Sequence, residues 1–275
     1  MINVSILGAT GYTGVELVKI LVRHKGVRLQ RLTSESAPGK RFSELYPALL
    51  GVCDIVLSEN DVEGVAEVSD VVFMCLPHGA SMDAAAVVAS KGKLAIDLSA
   101  DYRISDAALY ESAYKIAHRH TELLNRAVYG LAEIFTDDIK RADMIAVPGC
   151  YPTSILIPIL PLIKSGIIDG NLIFADSKSG VSGAGKKATE TTHFCEANED
   201  FKPYGIFSHR HKPEIDHIIE RYTGAKTDIV FTPHLAPITR GMLSTIYSVG
   251  KVEQAAIVDT WKEFYADRKM VRVRT

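Results

Sequence analysis

The stretch "VSILGATGYTGVELVKILVRH", residues 4–24, decides how the first half of the chain is read. The apolar run "VSIL" has the character of a buried strand. Three glycines follow, Gly8, Gly11 and Gly14. Then Leu17, Val18, Leu21 and Val22 recur on one face at helical spacing. Strand, glycine turn and amphipathic helix, in that order, suit a phosphate-bearing dinucleotide. Gly8 permits the tight turn off the strand. Gly11 lets backbone approach a pyrophosphate, and Gly14 lets the helix pack closely on the sheet. The helix start adds unpaired N–H groups and a positive dipole end. The candidate cradle is therefore Gly8, Ala9, Thr10, Gly11, Tyr12, Thr13 and Gly14. The spacing is GxxGxxG rather than GxGxxG, so plain turn glycines would satisfy the pattern alone; the flanking elements favour the ligand.

Outward from this turn, apolar runs alternate with helical segments. "VRLQRL" (27–32), "DIVL" (54–57), "DVVFMCL" (70–76), "KLAIDL" (93–98) and "DMIAVP" (143–148) continue the strand series. Strands this apolar predict a sheet covered on both faces, hence a parallel one. The alternation predicts a Rossmann-type doubly wound α/β domain over residues 1–149. An NAD-binding fold ends its second strand on an acidic residue that holds the ribose. Here the strand ends in "RLTSES", with Thr33, Ser34, Glu35 and Ser36, then Lys40 and Arg41. Hydroxyls and bases suit a 2′-phosphate, so Ser34 and Ser36 point to NADP(H). "CLPHGAS" (75–81) leaves a strand at its C-terminal end, where ligands bind in open α/β sheets, and offers Leu76, Pro77 and His78. His78 reads equally as a polar turn residue.

After residue 149 the alternation stops. A helix through "TSILIPILPLIKSG" is predicted to kink or split at Pro158 and Pro161. "NLIFADSKSG" (171–180) reads as a strand running into the loop "SGVSGAGKK". Residues 188–212 read as an irregular polar stretch, with a helix from Pro213. "DIVFTPHLAP" and "GMLSTIYSVG" read as strands joined through "ITRG", and residues 252–267 as a last helix. This predicts an α+β catalytic and dimerisation domain over 150–275 with a mixed, partly antiparallel sheet. "MVRVRT" looks like a strand cut short, and an early stop in the chain is expected over a terminal edge strand.

At the boundary stands "AVPGCYPTS" (146–154). Cys150 follows a strand and a Pro-Gly turn, and Pro152 suits the first turn of a helix. A thiol at a helix N-terminus is favoured as thiolate, and the adjacent N–H groups can hold an oxyanion. Such a nucleophile needs a proton partner. "SHRHKPEI" (208–215) offers His209 and His211 around Arg210. The H-x-H spacing finds no convincing third ligand, so no metal is expected. Arg103 in "DLSADYR", Arg210 and Arg240 are candidate anion clamps, each with a bland alternative as a surface or paired charge.

Bulk properties bound the rest. The chain has 275 residues, 47% hydrophobic and 23% charged, with a net charge of −2, which gives no reason to expect nucleic acid or membrane partners. No apolar run approaches the ~18 residues of a spanning helix. Four scattered cysteines without a CxxC pair suit a reducing cytoplasm.

Taken together, "GATGYTGVEL", "CLPHGAS", "DLSADYR", "VPGCYPT", "KSGVSGAGKK", "HRHKPEI" and "PHLAPITRGML" resemble the N-acetyl-gamma-glutamyl-phosphate reductase family, relatives of aspartate-semialdehyde dehydrogenase. The resemblance implies a small-molecule acyl-phosphate substrate and attack by Cys150 to give a thioester. It implies reduction of that thioester by NADPH to the semialdehyde, in arginine biosynthesis. It puts Ser182 and Gly183 by the nicotinamide, makes a histidine of "HRH" the proton carrier, and gives Arg103, Arg210 and Arg240 the substrate's anionic groups. It sets the nucleophile at the seam of the two domains and implies a cytoplasmic homo-oligomer, dimer or tetramer. A reductase of an aminoadipyl phosphate and a non-catalytic NADP sensor are the rival readings. Three departures stand out. Ala132 replaces a proline, "YGIF" is bulkier than the family's residues there, and the family continues beyond "MVRVRT".

Overall fold

The computed structural model describes residues 1–249 and 252–274. In chain order the first elements are β1 (Ile2–Leu7), α1 (Tyr12–Leu21), β2 (Val27–Leu32), α2 (Phe42–Leu45), α3 (Val62–Glu67), β3 (Val71–Met74), α4 (Ser81–Ser90), β4 (Leu94–Asp97), α5 (Ala107–Tyr114), α6 (Thr121–Leu124), β5 (Val128–Tyr129), α7 (Thr136–Ile139) and β6 (Met144–Ala146). Then come α8 (Cys150–Lys164), β7 (Ile173–Gly180), α9 (Phe194–Ala197), β8 (Lys202–Pro203), α10 (His211–Thr223), β9 (Val230–Ala236), β10 (Met242–Ser248) and α11 (Gln254–Phe264). The chain divides into two compact units. One is Met1–Gly130 with Asp137–Val147; the other is Leu131–Thr136 with the chain from Pro148 onward.

The first unit holds a six-stranded sheet in the order β2-β1-β3-β4-β6-β5, parallel throughout. Its strands are apolar because both faces are buried. Val4 and Ile6 of β1 pack with Val15, Val18 and Leu21 of α1. Leu7 instead joins Val65 and Ala66 of α3 and Ala84, Ala85 and Val88 of α4. The period-2 alternation of a strand thus splits one apolar run between two cores. The predicted strand "DIVL" is corrected. Arg41 and Val56 form only an isolated antiparallel bridge, while Thr33 pairs with Ser58. Buried Leu57 and the Lys40 carbonyl pin the segment as a loop instead. The two-residue β5 was not foreseen; it is too short for any sequence pattern to register.

The second unit holds a four-stranded mixed sheet in the order β10-β7-β9-β8. β7 runs parallel to β9 and antiparallel to β10. β9 and β10, adjacent in sequence, are therefore not a hairpin: β7 lies between them. The final helix is found over Gln254–Phe264, but Val271–Arg274 form no strand, against the reading of "MVRVRT".

The helix α8 is one continuous element despite Pro158 and Pro161. Each proline removes one i→i−4 hydrogen bond. Pro161 leaves the Ile157 carbonyl without its backbone donor, and the Tyr265 hydroxyl donates to that oxygen at 2.6 Å. Trp261 Nε1 donates to the neighbouring Pro158 carbonyl at 2.8 Å. The helix is held through its defect by α11 and the turn after it. Tyr265→Phe is accordingly expected to cost about 1 kcal/mol, read from urea unfolding, because it strands a carbonyl rather than a packing surface.

Candidate active site

The glycine turn comes first. Gly8 has φ +75°, and a Cβ there would lie 2.5 Å from the Cys75 carbonyl oxygen. A Cβ on Gly14 would lie 2.7 Å from the Ala9 Cα. Both glycines are demanded by the protein's own backbone. Gly11 differs. Its φ is −73°, and a Cβ would meet only the Gly8 carbonyl, at 3.7 Å. Nothing among the described residues requires glycine at 11, which fits a cradle whose occupant presses on that backbone. Gly11→Ala should leave the melting temperature near wild type but weaken dinucleotide binding by about 10-fold or more, read by fluorescence titration. Gly8→Ala and Gly14→Ala should instead lower stability by about 1–3 kcal/mol.

The cradle is tied to the end of β2. Thr10 Oγ1 meets Ser34 Oγ at 2.9 Å, Gly8 N–H donates to Thr33 Oγ1 at 3.0 Å, and Ser34 Oγ lies 3.5 Å from Ser36 Oγ. Ser36 and the following Lys40 and Arg41 are exposed. This places the hydroxyls of residues 10, 34 and 36 in one row beside the glycine turn. The Cys75–Gly79 turn lies on the other side, with Leu76 against Gly8. His78 Nδ1 accepts from the Ala100 amide at 3.0 Å, so the ring proton sits on Nε2.

In the second unit Cys150 is the first residue of α8, with Gly149 as N-cap, and it is exposed. It lines a pocket of about 490 Å³ together with His209, Arg210, His211 and Gly183. Ser182 stands one residue before, in the 3₁₀ turn Val181–Ala184. That turn is stitched to the Ile238–Gly241 loop: Val181 N–H donates to the Ile238 carbonyl at 2.9 Å and Ser182 N–H to that of Thr239 at 3.1 Å. Gly180 is required there, since a Cβ would sit 2.8 Å from the Arg240 nitrogen. The helix α10 starts at His211, two residues earlier than the sequence suggests, so "HRH" forms its entry. His209 Nδ1 accepts from the His211 amide at 3.1 Å. The rings of Tyr151, Tyr204 and Phe231 stand edge-on to it at 5.5, 5.5 and 5.3 Å. Burial, and then the Arg210 charge, push the His209 pKa down to about 4. The imidazole is neutral at ordinary pH and its proton is on Nε2. Tyr204 donates to the Tyr151 hydroxyl at 3.0 Å, and Tyr151 in turn to the His234 carbonyl at 3.2 Å.

Comparison with known proteins agrees with both halves of this layout. Residues 3–142 match the family model described as semialdehyde dehydrogenase, NAD binding domain, and residues 150–275 match semialdehyde dehydrogenase, dimerisation domain. The N-acetyl-gamma-glutamyl-phosphate reductase of Desulforudis audaxviator is 45% identical over 275 residues, covering 99% of this chain and 80% of that protein. The chain belongs to the N-acetyl-gamma-glutamyl-phosphate reductase family. The reductase of Rhodopirellula baltica is 43% identical over 279 residues, covering 99% and 81%. Among solved structures, aspartate semialdehyde dehydrogenase II of Vibrio cholerae, complexed with ASA, shares the fold with a TM-score of 0.69 at 15% identity, covering 94% of this chain and 78% of that one. The Candida albicans aspartate semialdehyde dehydrogenase with NADP gives 0.65 at 17%, covering 96% and 75%.

Against this reductase framework, the arginines separate. Arg210 is exposed and lines the Cys150 pocket. Arg240 is exposed on the loop beside Gly180 and is not among the pocket's walls. Arg103 belongs to the first unit and is 6% exposed. Its Nε donates to the Val147 carbonyl at 2.7 Å and a terminal nitrogen to that of Leu98 at 3.1 Å, bracing the ends of β4 and β6. One residue went unassigned in the sequence reading of this reductase chain. Glu214 is fully buried in the first turn of α10, and its Oε1 accepts from the Gly149 amide at 2.9 Å. It places a carboxylate at the N-terminus of α8, where the helix dipole favours one. An acidic residue opening the helix after "HRH" was the signal.

Proposed function

We propose that the chain reduces N-acetyl-gamma-glutamyl phosphate, the substrate its relatives' names indicate, to the semialdehyde with NADPH, within arginine biosynthesis. The observation that carries this is one pocket walled by Cys150, His209, Arg210 and His211 in a chain of this family. Cys150 attacks the γ-acyl carbon, the C–O bond to phosphate breaks, and inorganic phosphate leaves with Arg210 offsetting its charge. The acyl group stays on Cys150 as a thioester. Bound NADPH supplies the hydride for its reduction. His209 donates a hydrogen bond from Nε2 to the carbonyl oxygen as negative charge gathers there. The tetrahedral thiohemiacetal anion then collapses: its C–S bond breaks, releasing the aldehyde and returning Cys150 as the thiolate. Arg103 and Arg240 are assigned to the substrate's anionic groups from the family resemblance.

The preference for NADP(H) over NAD rests on the Thr10, Ser34 and Ser36 hydroxyls and on Lys40 and Arg41 after them. The "dimerisation domain" description of the second half supports a homo-oligomer, dimer or tetramer. Among the described residues no helix is long and apolar enough to cross a membrane. The cytoplasmic location proposed for this enzyme rests on its four scattered cysteines, which suit a reducing compartment. The test is an assay with N-acetylglutamyl phosphate and NADPH, following absorbance loss at the nicotinamide band. No oxidation of NADPH with that substrate, alongside turnover of an aminoadipyl phosphate, would move the substrate assignment to the latter.

A further inference from the structure

Gly79 is gripped from both sides. Its N–H faces both carboxylate oxygens of Asp101, each at 2.9 Å. Its carbonyl accepts from an Arg119 terminal nitrogen at 2.6 Å. The glycine has φ +83°, a conformation other residues rarely adopt, and a Cβ there would come within 3.4 Å of the Ile116 side chain. Asp101 is fully buried and receives the Tyr110 hydroxyl at 2.7 Å. Arg119 is in turn aimed by Asp83, through Nε at 3.0 Å and the terminal nitrogen at 2.8 Å, and His120 Nε2 meets the same carboxylate at 2.9 Å. His78 is held next to this by the Ala100 amide, with the Tyr114 ring 5.6 Å away. A surface pair such as Asp83–Arg119 contributes little by itself. Here the arginine also reaches a backbone carbonyl in a turn, which an isolated pair has no need to do.

The turn so held is the one against Gly8, whose missing Cβ makes room for the Cys75 carbonyl. We propose that Asp101 and Arg119 are positioning residues for the cofactor. By clamping the Gly79 peptide they keep the Cys75–Gly79 turn as a preformed wall beside the glycine cradle. The proposal rests on the dinucleotide reading of that cradle. Its physical content is preorganisation: a turn that must be ordered on binding lowers apparent affinity by the fraction of time it is in place.

The test compares wild type, Arg119→Ala and Arg119→Lys in three readouts. These are melting temperature, hydrogen exchange of the 77–82 segment without ligand, and NADPH dissociation constant by fluorescence. Arg119 is 46% exposed at its side chain, so its removal should leave the fold intact. The alanine variant should exchange faster at Gly79–Ser81 and bind NADPH about 5- to 10-fold more weakly, with the lysine variant between. The KM for the acyl phosphate should not move. Should the alanine variant fail to fold, Tyr110→Phe, which loosens Asp101, is expected to shift exchange and affinity in the same direction. Unchanged exchange, or faster exchange with unchanged NADPH affinity, would overturn the clamp while leaving the dinucleotide reading standing. A wild-type protein that binds no NADPH would overturn both.

Discussion

Cys150→Ala is expected to abolish reduction of the acyl phosphate, by at least about 10⁴-fold in kcat, while NADPH binds as tightly as to wild type. The two effects separate because the residues of the glycine cradle and the thiol lie in different units of the chain. No other cysteine can substitute. Burial, with the nearby Asp97 charge adding to it, pushes the Cys75 thiol up to about 12. Cys53 is buried and likewise raised, chiefly by desolvation. Cys195 is exposed on α9 but is not among the walls of the Cys150 pocket. The variant therefore keeps the pocket and loses its only thiol. Intact-mass measurement adds a positive control. Wild type incubated with substrate but no NADPH should retain one acyl group, and Cys150→Ala none. Turnover of the variant within about tenfold of wild type would mean hydride reaches the acyl phosphate directly, without a thioester, since losing a nucleophile that forms a covalent intermediate costs far more.

What was legible in the sequence and what was not divides by the range of the interactions concerned. The demand on Gly14 comes from Ala9, five residues earlier in the same strand-turn-helix unit, so spacing reveals it, whereas Gly8 is required by the Cys75 carbonyl, 67 positions on, and was legible only because its residue type suits a turn. The alternation Val4, Ile6 against Leu7 is similarly local, and with it the doubly wound sheet. Cys150 at a helix start is a statement about five consecutive residues. The failures are non-local. "DIVL" has strand composition, but its pairing is confined to single bridges by Lys40–Phe42, more than ten residues earlier. β9 and β10 look like a hairpin until β7, fifty residues upstream, is seen to lie between them. Pro161 of α8 is tolerated because a donor for the freed Ile157 carbonyl arrives from Tyr265, about a hundred residues on. Glu214 has its meaning only through the Gly149 amide, 65 positions away. Arg103 was readable as a charge near a ligand end, but not as a brace between two strand ends.

Of the two histidines the sequence could not rank, His209 is expected to be the hydrogen-bond donor to the developing oxyanion. Its Nδ1 is occupied by the His211 amide, which leaves Nε2–H as the donor, and three aromatic rings fix the plane of the imidazole. His209→Ala should lower kcat by about 10²- to 10⁴-fold with the KM for NADPH unchanged. His211→Ala should act mainly on the KM for the acyl phosphate. The opposite pattern would assign that donor role to His211. A second, independent signature lies in stability. His209 has its pKa lowered to about 4 from the ordinary 6.5, chiefly by burial. Above pH 6.5 neither the folded nor the unfolded chain binds a proton there, so the group adds no pH dependence. Below 6.5 the unfolded chain takes up a proton that the folded one refuses until about pH 4. Stability must therefore fall as pH drops through this window. Buried His118 shifts in the same direction and remains in the variant. His209→Ala should thus show a shallower, not a flat, decline of melting temperature between pH 6.5 and 4. A decline as steep as that of wild type would mean that folding does not lower the His209 pKa. His209 could then take up a proton near neutral pH and act as an acid, rather than as the neutral donor that its amide-anchored ring describes.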